Sequence, residues 1–395
     1  MKAGVLFLTA IILYATSYLV VGNRGTDPGD TVNFYAPVAT HIVQGDGYVL
    51  ENAFADRYPP AFPMFLAAIY RTGGTMDLEN TYYRWAVVVL HSLTVMMLFL
   101  SARQWLTTTQ ASIAALLLMT HPVFAALGVT RLAWNATALF LFFFSTSLWL
   151  LFSSLRTGRR RAMTLSGLML GASALTWPGP TLFPFVVISF ILFARRSASP
   201  WWRLATMASY LLGFAVPVLT WMWFVYQHTG HMEVSAGWYP SMLHGLFYRG
   251  GVLGDYAIAQ RAIVADVAGQ LQGSADVAIF YLRQLVQHPL DLFAFVGAKA
   301  ARAWYASIGE AHDTLTLIVQ VPYLLLGIHG ARICLRRHRA HAQFLLGGIV
   351  YFWLMAVSVL AVVRYMTPAL VLLLMFAAVG AEDVWLRVSR VSTAR

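Results

Sequence analysis

Five carboxylates stand close together near the start of the chain, at Asp27, Asp30, Asp46, Glu51 and Asp56. A carboxylate can act as a general base, taking a proton from a hydroxyl as that hydroxyl attacks. Most acids in a polar loop are ordinary surface groups. Asp30 is different because it follows the first long apolar run by eight residues and opens an amphipathic segment. That position sets a carboxylate at a lipid–water boundary. Basic residues that could answer it on the same side of a membrane are Arg57, Arg131, Lys299, Arg302 and Arg364. Arginine suits a phosphate because its planar fork stays charged and donates at two points. Arg364 is the most informative of these, lying between two apolar runs in Val363-Arg364-Tyr365-Met366-Thr367-Pro368. His228 and His231, with His244 nearby, are loosely metal-like, although Gly230 favours a turn between the histidines. A divalent metal is therefore allowed by these residues and not required by them. No phosphate-binding glycine loop, dinucleotide fingerprint, nucleophile elbow or HExxH is present.

The elements that must hold these groups are membrane helices. Hydrophobic residues make up 59% of the 395 residues and charged residues 11%, with a mean hydropathy of +0.65. Soluble domains carry roughly 25% charge. Apolar runs of bilayer length fall at Ala3–Gly22, Arg84–Ala102, Ala111–Val129, Leu132–Phe152, Met163–Trp177, Thr181–Phe193, Leu204–Tyr226, Leu315–Gly330, Phe344–Val363 and Tyr365–Ala381. The fifth and sixth are short and meet at Pro178-Gly179-Pro180. The first has no cleavage pattern after it and is expected to remain as a helix. The expected fold is an all-α integral membrane bundle of about ten helices, one domain over 1–395, with two long loops at 23–83 and 227–313.

Charge orients the bundle. With the N-terminus in the cytoplasm, the short cytoplasmic connections carry 16 of the 27 Lys and Arg residues. Fourteen of the 16 acids fall in the two long loops, which are then external. The excess of basic residues is thus mostly an orientation signal, and nothing in it suggests nucleic acid. No acid lies inside an expected span, which weighs against an ion-coupled transporter. Cys334 is the single cysteine, so no intrachain disulfide can form.

Both loops carry helical periodicity. In the first, Phe34, Tyr35, Ala39, Ile42 and Val43 share a face, Asp30 and Thr31 are capping-type residues, and Gly45-Asp46-Gly47 ends the segment. Arg57-Tyr58-Pro59-Pro60 then joins it to a second short helix starting near Met64. In the second loop Ile263, Val267 and Leu271 recur at helical spacing, and His288-Pro289 opens another amphipathic stretch. Helices lying at the membrane interface are expected in both.

Several weak motifs, in order, resemble the GT-C superfamily of polyprenyl-phosphate-sugar glycosyltransferases, and most of all its bacterial branch related to protein O-mannosyltransferases and aminoarabinose transferases. Asp30-Thr31-Val32-Asn33-Phe34, then Ala39 and Gly45, is similar to the family's D-E-x-x-Y…A…G opening, with Thr31 and Phe34 replacing its Glu and Tyr. Asp56-Arg57-Tyr58-Pro59-Pro60-Ala61-Phe62-Pro63 resembles its R-x-P-P-x-x-P turn. Gly167–Trp177 looks like G-x-x-x-G-x-x-x-L-T-R-P, with Trp177 where Arg is common. Pro217–Gly230 resembles the family's exit from a span, His288-Pro289 with Lys299 its short h-P…K segment, and Arg364-Tyr365-Met366-Thr367-Pro368 its R-Y-x-x-P.

The resemblance implies an inverting glycosyl transfer from a polyprenyl-phosphate sugar to an acceptor on the non-cytoplasmic face, in what would be a bacterial inner membrane. Asp30 would be the base. Arg57, Tyr58, Arg364, Tyr365, Lys299 and Arg131 would contact donor phosphate or substrate, with Asp27 and Asp56 as secondary acids and Asp56 a counterpart of a metal-binding or substrate acid. The chain stops soon after its last span, so the added domain of larger relatives is not expected. Two other readings stay open: a carrier or flippase for an amphiphilic substrate, and a non-catalytic relative in envelope polysaccharide assembly. The acceptor, whether lipid, glycan or protein, is not specified by any motif.

Overall fold

A computed structural model of the protein describes residues 2–21, 29–76, 81–129, 136–194, 199–247, 271, 273–306 and 313–393. The fold is a helical membrane bundle. Among the described residues seven helices are long and apolar enough to cross a bilayer: Ala3–Val20, Thr81–Ala102, Ala136–Thr157, Pro200–Thr229, Asp313–Arg337, Arg339–Ser358 and Val363–Arg390. The other three expected spans are helical but short. The third is broken into Thr108–Thr120 and Pro122–Val129, the fifth is Arg160–Ala174, and the sixth is Phe183–Ala194 after a single turn at Gly179–Leu182.

The breaks have local causes. Pro122 has no N–H and sterically disfavours a helical residue before it, so His121 is extended. Its ring then caps the next helix: the Val123 N–H donates to His121 Nδ1 at 3.3 Å, which leaves Nε2–H to donate to Gln320 Oε1 at 3.1 Å. At Pro178-Gly179-Pro180 the two prolines remove backbone donors, and Tyr351 replaces them from a neighbouring helix. Its hydroxyl donates to the Gly179 carbonyl at 2.6 Å and accepts from the Leu182 N–H at 3.2 Å.

Helix pairs approach closely where glycines line up, as expected in lipid, where packing replaces the hydrophobic effect. Gly167 and Gly171 on Arg160–Ala174 sit against Tyr210, Phe214 and Pro217 of Pro200–Thr229, and Gly213 returns the contact against Thr164. Gly330 and Gly380 do the same between Asp313–Arg337 and the last helix, Thr367–Thr393. A Cβ at any of Gly167, Gly213 or Gly330 would collide with a backbone carbonyl of the facing helix.

The first external loop differs from expectation in two ways. Asp30 is not a helix cap: it makes no capping hydrogen bond, and the chain enters Ala36–Gln44 through a widened turn, Thr31–Tyr35, in which the Ala36 N–H reaches back to the Thr31 carbonyl. Between the two interfacial helices lies a small antiparallel hairpin, Val49–Leu50 with Ala53–Phe54. Glu51 and Asn52 turn it with φ of 50° and 66°, the left-handed pair that a two-residue hairpin needs. After Pro59-Pro60 the second interfacial helix, Ala61–Gly73, packs Phe62, Leu66 and Tyr70 inward. In the second loop, Ile263 and Val267 lie outside the described residues. The helices Ser274–Gln287 and Pro289–Arg302 bury Val277, Phe280, Leu292 and Phe295 against each other and their neighbours. They leave Val286 83% and Leu290 82% exposed on the opposite side. A helix pair apolar on both faces suits an interfacial position, with one face on protein and one in lipid.

Candidate active site

Asp30 stands at the first turn of the first external loop, half-buried. Its Oδ1 accepts a hydrogen bond from the Tyr58 hydroxyl at 2.6 Å. Tyr58 is held there by packing, its ring 4.7 Å from that of Phe34 and 5.1 Å from that of Tyr35. Burial, and then the charge of Asp30, raise the Tyr58 hydroxyl above its ordinary value. Tyr58 therefore stays protonated and acts as a donor. Among the described residues no group bonds the second oxygen of Asp30.

The turn that carries Tyr58 is fixed from three directions. The Tyr48 hydroxyl donates to the Tyr58 carbonyl at 2.9 Å. The Ala61 N–H donates to the Leu175 carbonyl at 2.9 Å, tying the turn to the bundle. The segment after Pro200–Thr229 closes over it: Ala236 N–H bonds the Asp56 carbonyl at 3.0 Å, while Gly237 N–H, at 2.9 Å, and Ser235 Oγ, at 2.5 Å, bond the Arg57 carbonyl. Gly237 has to be bare, since a Cβ would meet the Arg57 carbonyl.

Arg364 comes from the other end of the chain. The Val363 N–H bonds the Ala306 carbonyl at 2.8 Å and Thr367 Oγ1 bonds the Arg364 carbonyl at 2.8 Å. These bonds present the arginine at the wall of a small cleft, beside Tyr35, Tyr365 and Trp177. Arg364 is half-buried, and among the described residues it pairs with no carboxylate. A partly desolvated cation without a counter-ion, facing a cleft, is disposed to take an anion. Tyr35 feels both charges: burial, then Tyr58 and Asp30, raise its hydroxyl, while Arg364 lowers it. Base candidate and cation thus both act electrostatically on one buried tyrosine.

The cleft lies at the end of the bundle away from the basic connections. Arg156 to Arg161 join Ala136–Thr157 to Arg160–Ala174 at one end, whereas Ala136 and Trp177, at the other end of those helices, border the cleft.

The remaining expected residues are placed differently. Tyr365 lines the cleft. Arg57 is exposed, its guanidinium 5.4 Å from the Tyr58 ring centre, so it is next to the base candidate with its charge free in solvent. Lys299 is 1% exposed and does not line the cleft. Its ammonium donates to the Val359 carbonyl at 3.1 Å, in the loop that leads to Arg364, so it touches the site through the backbone. Burial pushes the Lys299 ammonium down to about 7. A folded-state value below the unfolded one means that burial penalises the protonated form. That penalty is complete at low pH and lifts as pH rises from about 7 towards the ordinary lysine range. The protein should accordingly gain heat stability between pH 7 and 9, and Lys299→Met should flatten the gain, as read by thermal unfolding in detergent.

Asp56 is half-buried and neighbours Glu233, whose carboxyl is raised by burial and then by the charge of Asp56. His228 stacks on Phe54 at 4.5 Å, and its Nδ1 bonds the Phe224 carbonyl at 2.8 Å. Among the described residues no three His, Cys, Asp or Glu side chains come together as metal ligands. Asp27 and Arg131 lie outside the described residues.

Three contributors escaped sequence reasoning. Tyr35 reads as a core residue of an amphipathic face. Trp177 reads as a departure from a motif, and Thr137 carries no signal at all. Only the substitution at Trp177 marked a position worth inspecting.

The model of the dolichyl-phosphate-mannose-protein mannosyltransferase family matches residues 57–221. No curated protein matches the sequence significantly. Among solved structures, the archaeal oligosaccharyltransferase AglB from Archaeoglobus fulgidus, in complex with an inhibitory peptide and a dolichol-phosphate, superimposes with a TM-score of 0.57 at 13% identity over 99% of this chain and 51% of its own. The apo form of the Archaeoglobus fulgidus oligosaccharyltransferase gives 0.55 at 12% identity, over 100% of this chain and 52% of its own. ArnT from Cupriavidus metallidurans, bound to undecaprenyl phosphate, gives 0.44 at 16% identity, over 97% and 79%. The chain therefore spans about half the length of the oligosaccharyltransferase, and what the two share is a fold.

Proposed function

We propose that this chain, a GT-C superfamily protein by fold, is a membrane glycosyltransferase that moves a sugar from a polyprenyl-phosphate donor to an acceptor hydroxyl on the non-cytoplasmic face, with inversion. The observation that carries this reading is Arg364, a half-buried cation without a carboxylate partner among the described residues, lining a cleft next to the tyrosine that also feels Asp30. The dolichol-phosphate of the archaeal oligosaccharyltransferase complex supports a lipid phosphate as the anion. The mannosyltransferase family match over residues 57–221, which includes Arg57, Tyr58 and Trp177, supports sugar transfer.

In this reaction the acceptor oxygen attacks the anomeric carbon. A new C–O bond forms there as the bond from that carbon to the phosphate oxygen breaks. Asp30 takes the acceptor proton, and the bond electrons leave with the polyprenyl phosphate, whose added negative charge Arg364 and Arg57 stabilise. Tyr58 positions Asp30 by donating to one of its oxygens, so that the free oxygen meets the acceptor. The asymmetry of charge between the short connections and the long loops supports cytoplasmic termini. The test is mass spectrometry of lipid-linked sugars and envelope glycans from cells with and without the gene. Loss of one glycan with accumulation of its lipid-linked sugar is expected. Unchanged glycans, together with movement of a lipid across vesicles containing the pure protein, would favour a carrier instead.

A further inference from the structure

The stretch that follows Pro200–Thr229 touches the carriers of both charged candidates. At its start it grips the turn before Tyr58, through the bonds from Ser235, Ala236 and Gly237 to the Asp56 and Arg57 carbonyls. Ser235 is 7% exposed. Its hydroxyl donates to the Arg57 carbonyl and accepts from the Gly237 N–H at 3.1 Å. The grip is itself anchored, because the buried Trp221 indole N–H donates to the Val234 carbonyl at 2.9 Å. Further on, the helix Trp238–Phe247 covers the link that leads into Arg364: Trp238 and Met242 pack on Val359, Leu360 and Val362. Gly245 lies against the Val359 carbonyl, the same oxygen that accepts from Lys299, and a Cβ there would collide with it. Grip and helix are tied together, since the Ser241 hydroxyl donates to the Gly237 carbonyl at 2.8 Å.

Asp30 and Arg364 come from opposite ends of the chain, so no local geometry sets their spacing. In an inverting displacement the base must stand on one side of the anomeric carbon and the phosphate cation on the other. A misplacement of about 1 Å can cost on the order of 10²-fold in rate. Apolar contacts alone would suffice to cover the bundle. Here a buried hydroxyl and two backbone N–H groups instead bond the turn beside Tyr58, and satisfied buried polar networks of this kind rigidify what they join. Resting on the glycosyltransferase reading above, we propose that the stretch from Val234 to Gly245 is a brace that sets the spacing of Asp30 and Arg364. Ser235 is its positioning residue on the Asp30 side, acting through the Arg57 carbonyl and Tyr58. Gly245 is its counterpart on the Arg364 side, seating the Val359 carbonyl.

The test uses the purified full chain in phosphatidylglycerol nanodiscs. The donor is the pool of lipid-linked sugars extracted from cells lacking the gene, and the acceptor is the membrane fraction of those cells, titrated. Radiolabelled decaprenyl phosphate reports lipid phosphate binding separately. Ser235→Ala should lower kcat/KM for the acceptor about tenfold and leave the donor KM and decaprenyl phosphate affinity within about twofold. In a Tyr58→Phe background the same substitution should change kcat/KM less than about twofold, because residues acting through one contact are not additive. A merely structural role would repeat the full loss in that background. Gly245→Ala should instead weaken decaprenyl phosphate binding about tenfold, by displacing the Val359 carbonyl and with it Arg364. If Gly245→Ala fails to accumulate, Met242→Ala, which loosens the same link without a clash, should weaken that binding about threefold. Full activity in Ser235→Ala, or an equal loss with and without the Tyr58 hydroxyl, would overturn the brace at its Asp30 end. Unchanged decaprenyl phosphate binding in the Gly245 and Met242 variants would overturn it at its Arg364 end. Wild-type protein that consumes none of the lipid-linked pool would overturn the glycosyltransferase reading itself, and the brace with it.

Discussion

Asp30→Asn should lower sugar transfer by roughly 10²- to 10⁴-fold, the usual contribution of a positioned general base, while the protein inserts and accumulates normally. The substitution isolates proton transfer because asparagine keeps the size of aspartate and its carbonyl can still accept the Tyr58 hydrogen bond. What disappears is the ability of the second oxygen to take a proton. Donor binding should hardly change, since in this assignment Asp30 addresses the acceptor. Tyr58→Phe tests the positioning role separately. It leaves the carboxylate in place and frees its orientation, so a smaller loss is expected, with activity recovering at higher acceptor concentration. Transfer at the normal rate by the Asp30→Asn protein would remove Asp30 from the chemistry.

Arg364→Ala should act mainly on the donor. Truncating one partner of a buried, hydrogen-bonded charge pair costs on the order of 2–5 kcal/mol. Arg364 is half-buried, so solvent screening argues for the lower end, about 2 kcal/mol or roughly 30-fold in affinity for a polyprenyl phosphate. Arg364→Lys separates charge from geometry. A lysine restores the charge without the planar fork, and a bidentate phosphate contact should be recovered only in part. Full recovery with lysine would mean that Arg364 supplies field alone, and unchanged donor affinity in Arg364→Ala would place the phosphate elsewhere. Arg57→Ala should do less to binding than Arg364→Ala, because Arg57 is exposed and its charge is largely screened.

The roles of Lys299 and Asp30 illustrate what one-dimensional reasoning reaches. Both were singled out by residue type and position, and both touch the site. Yet type alone suggested a phosphate contact for Lys299, whereas the fold buries it against the Val359 carbonyl, where it braces the loop carrying Arg364. For Asp30 the local pattern suggested a helix cap, and the widened turn at Thr31–Tyr35 turned the side chain away from that duty and towards Tyr58, a residue 28 positions later in the chain. Capping is a short-range competition that sequence can describe. A hydrogen bond across an intervening helix and hairpin is not.

The membrane class, the order of the spans and the gathering of acids into two loops were all determined by the sequence itself. They follow from hydropathy over about 20 residues and from the side on which charges collect, and neither quantity needs tertiary contacts. The break of the third span at Pro122 went unread in an unbroken apolar run, whereas the Pro178-Gly179-Pro180 turn was marked by its own composition. The site was decided by the tertiary structure. Arg364 and Tyr35, from opposite ends of the chain, border one cleft. Trp177 stacks on Tyr365, and Gly179, whose carbonyl Tyr351 holds, lies bare against the indole. Such contacts depend on where separate helices meet, a sum of many small packing energies that leaves no local mark on the chain.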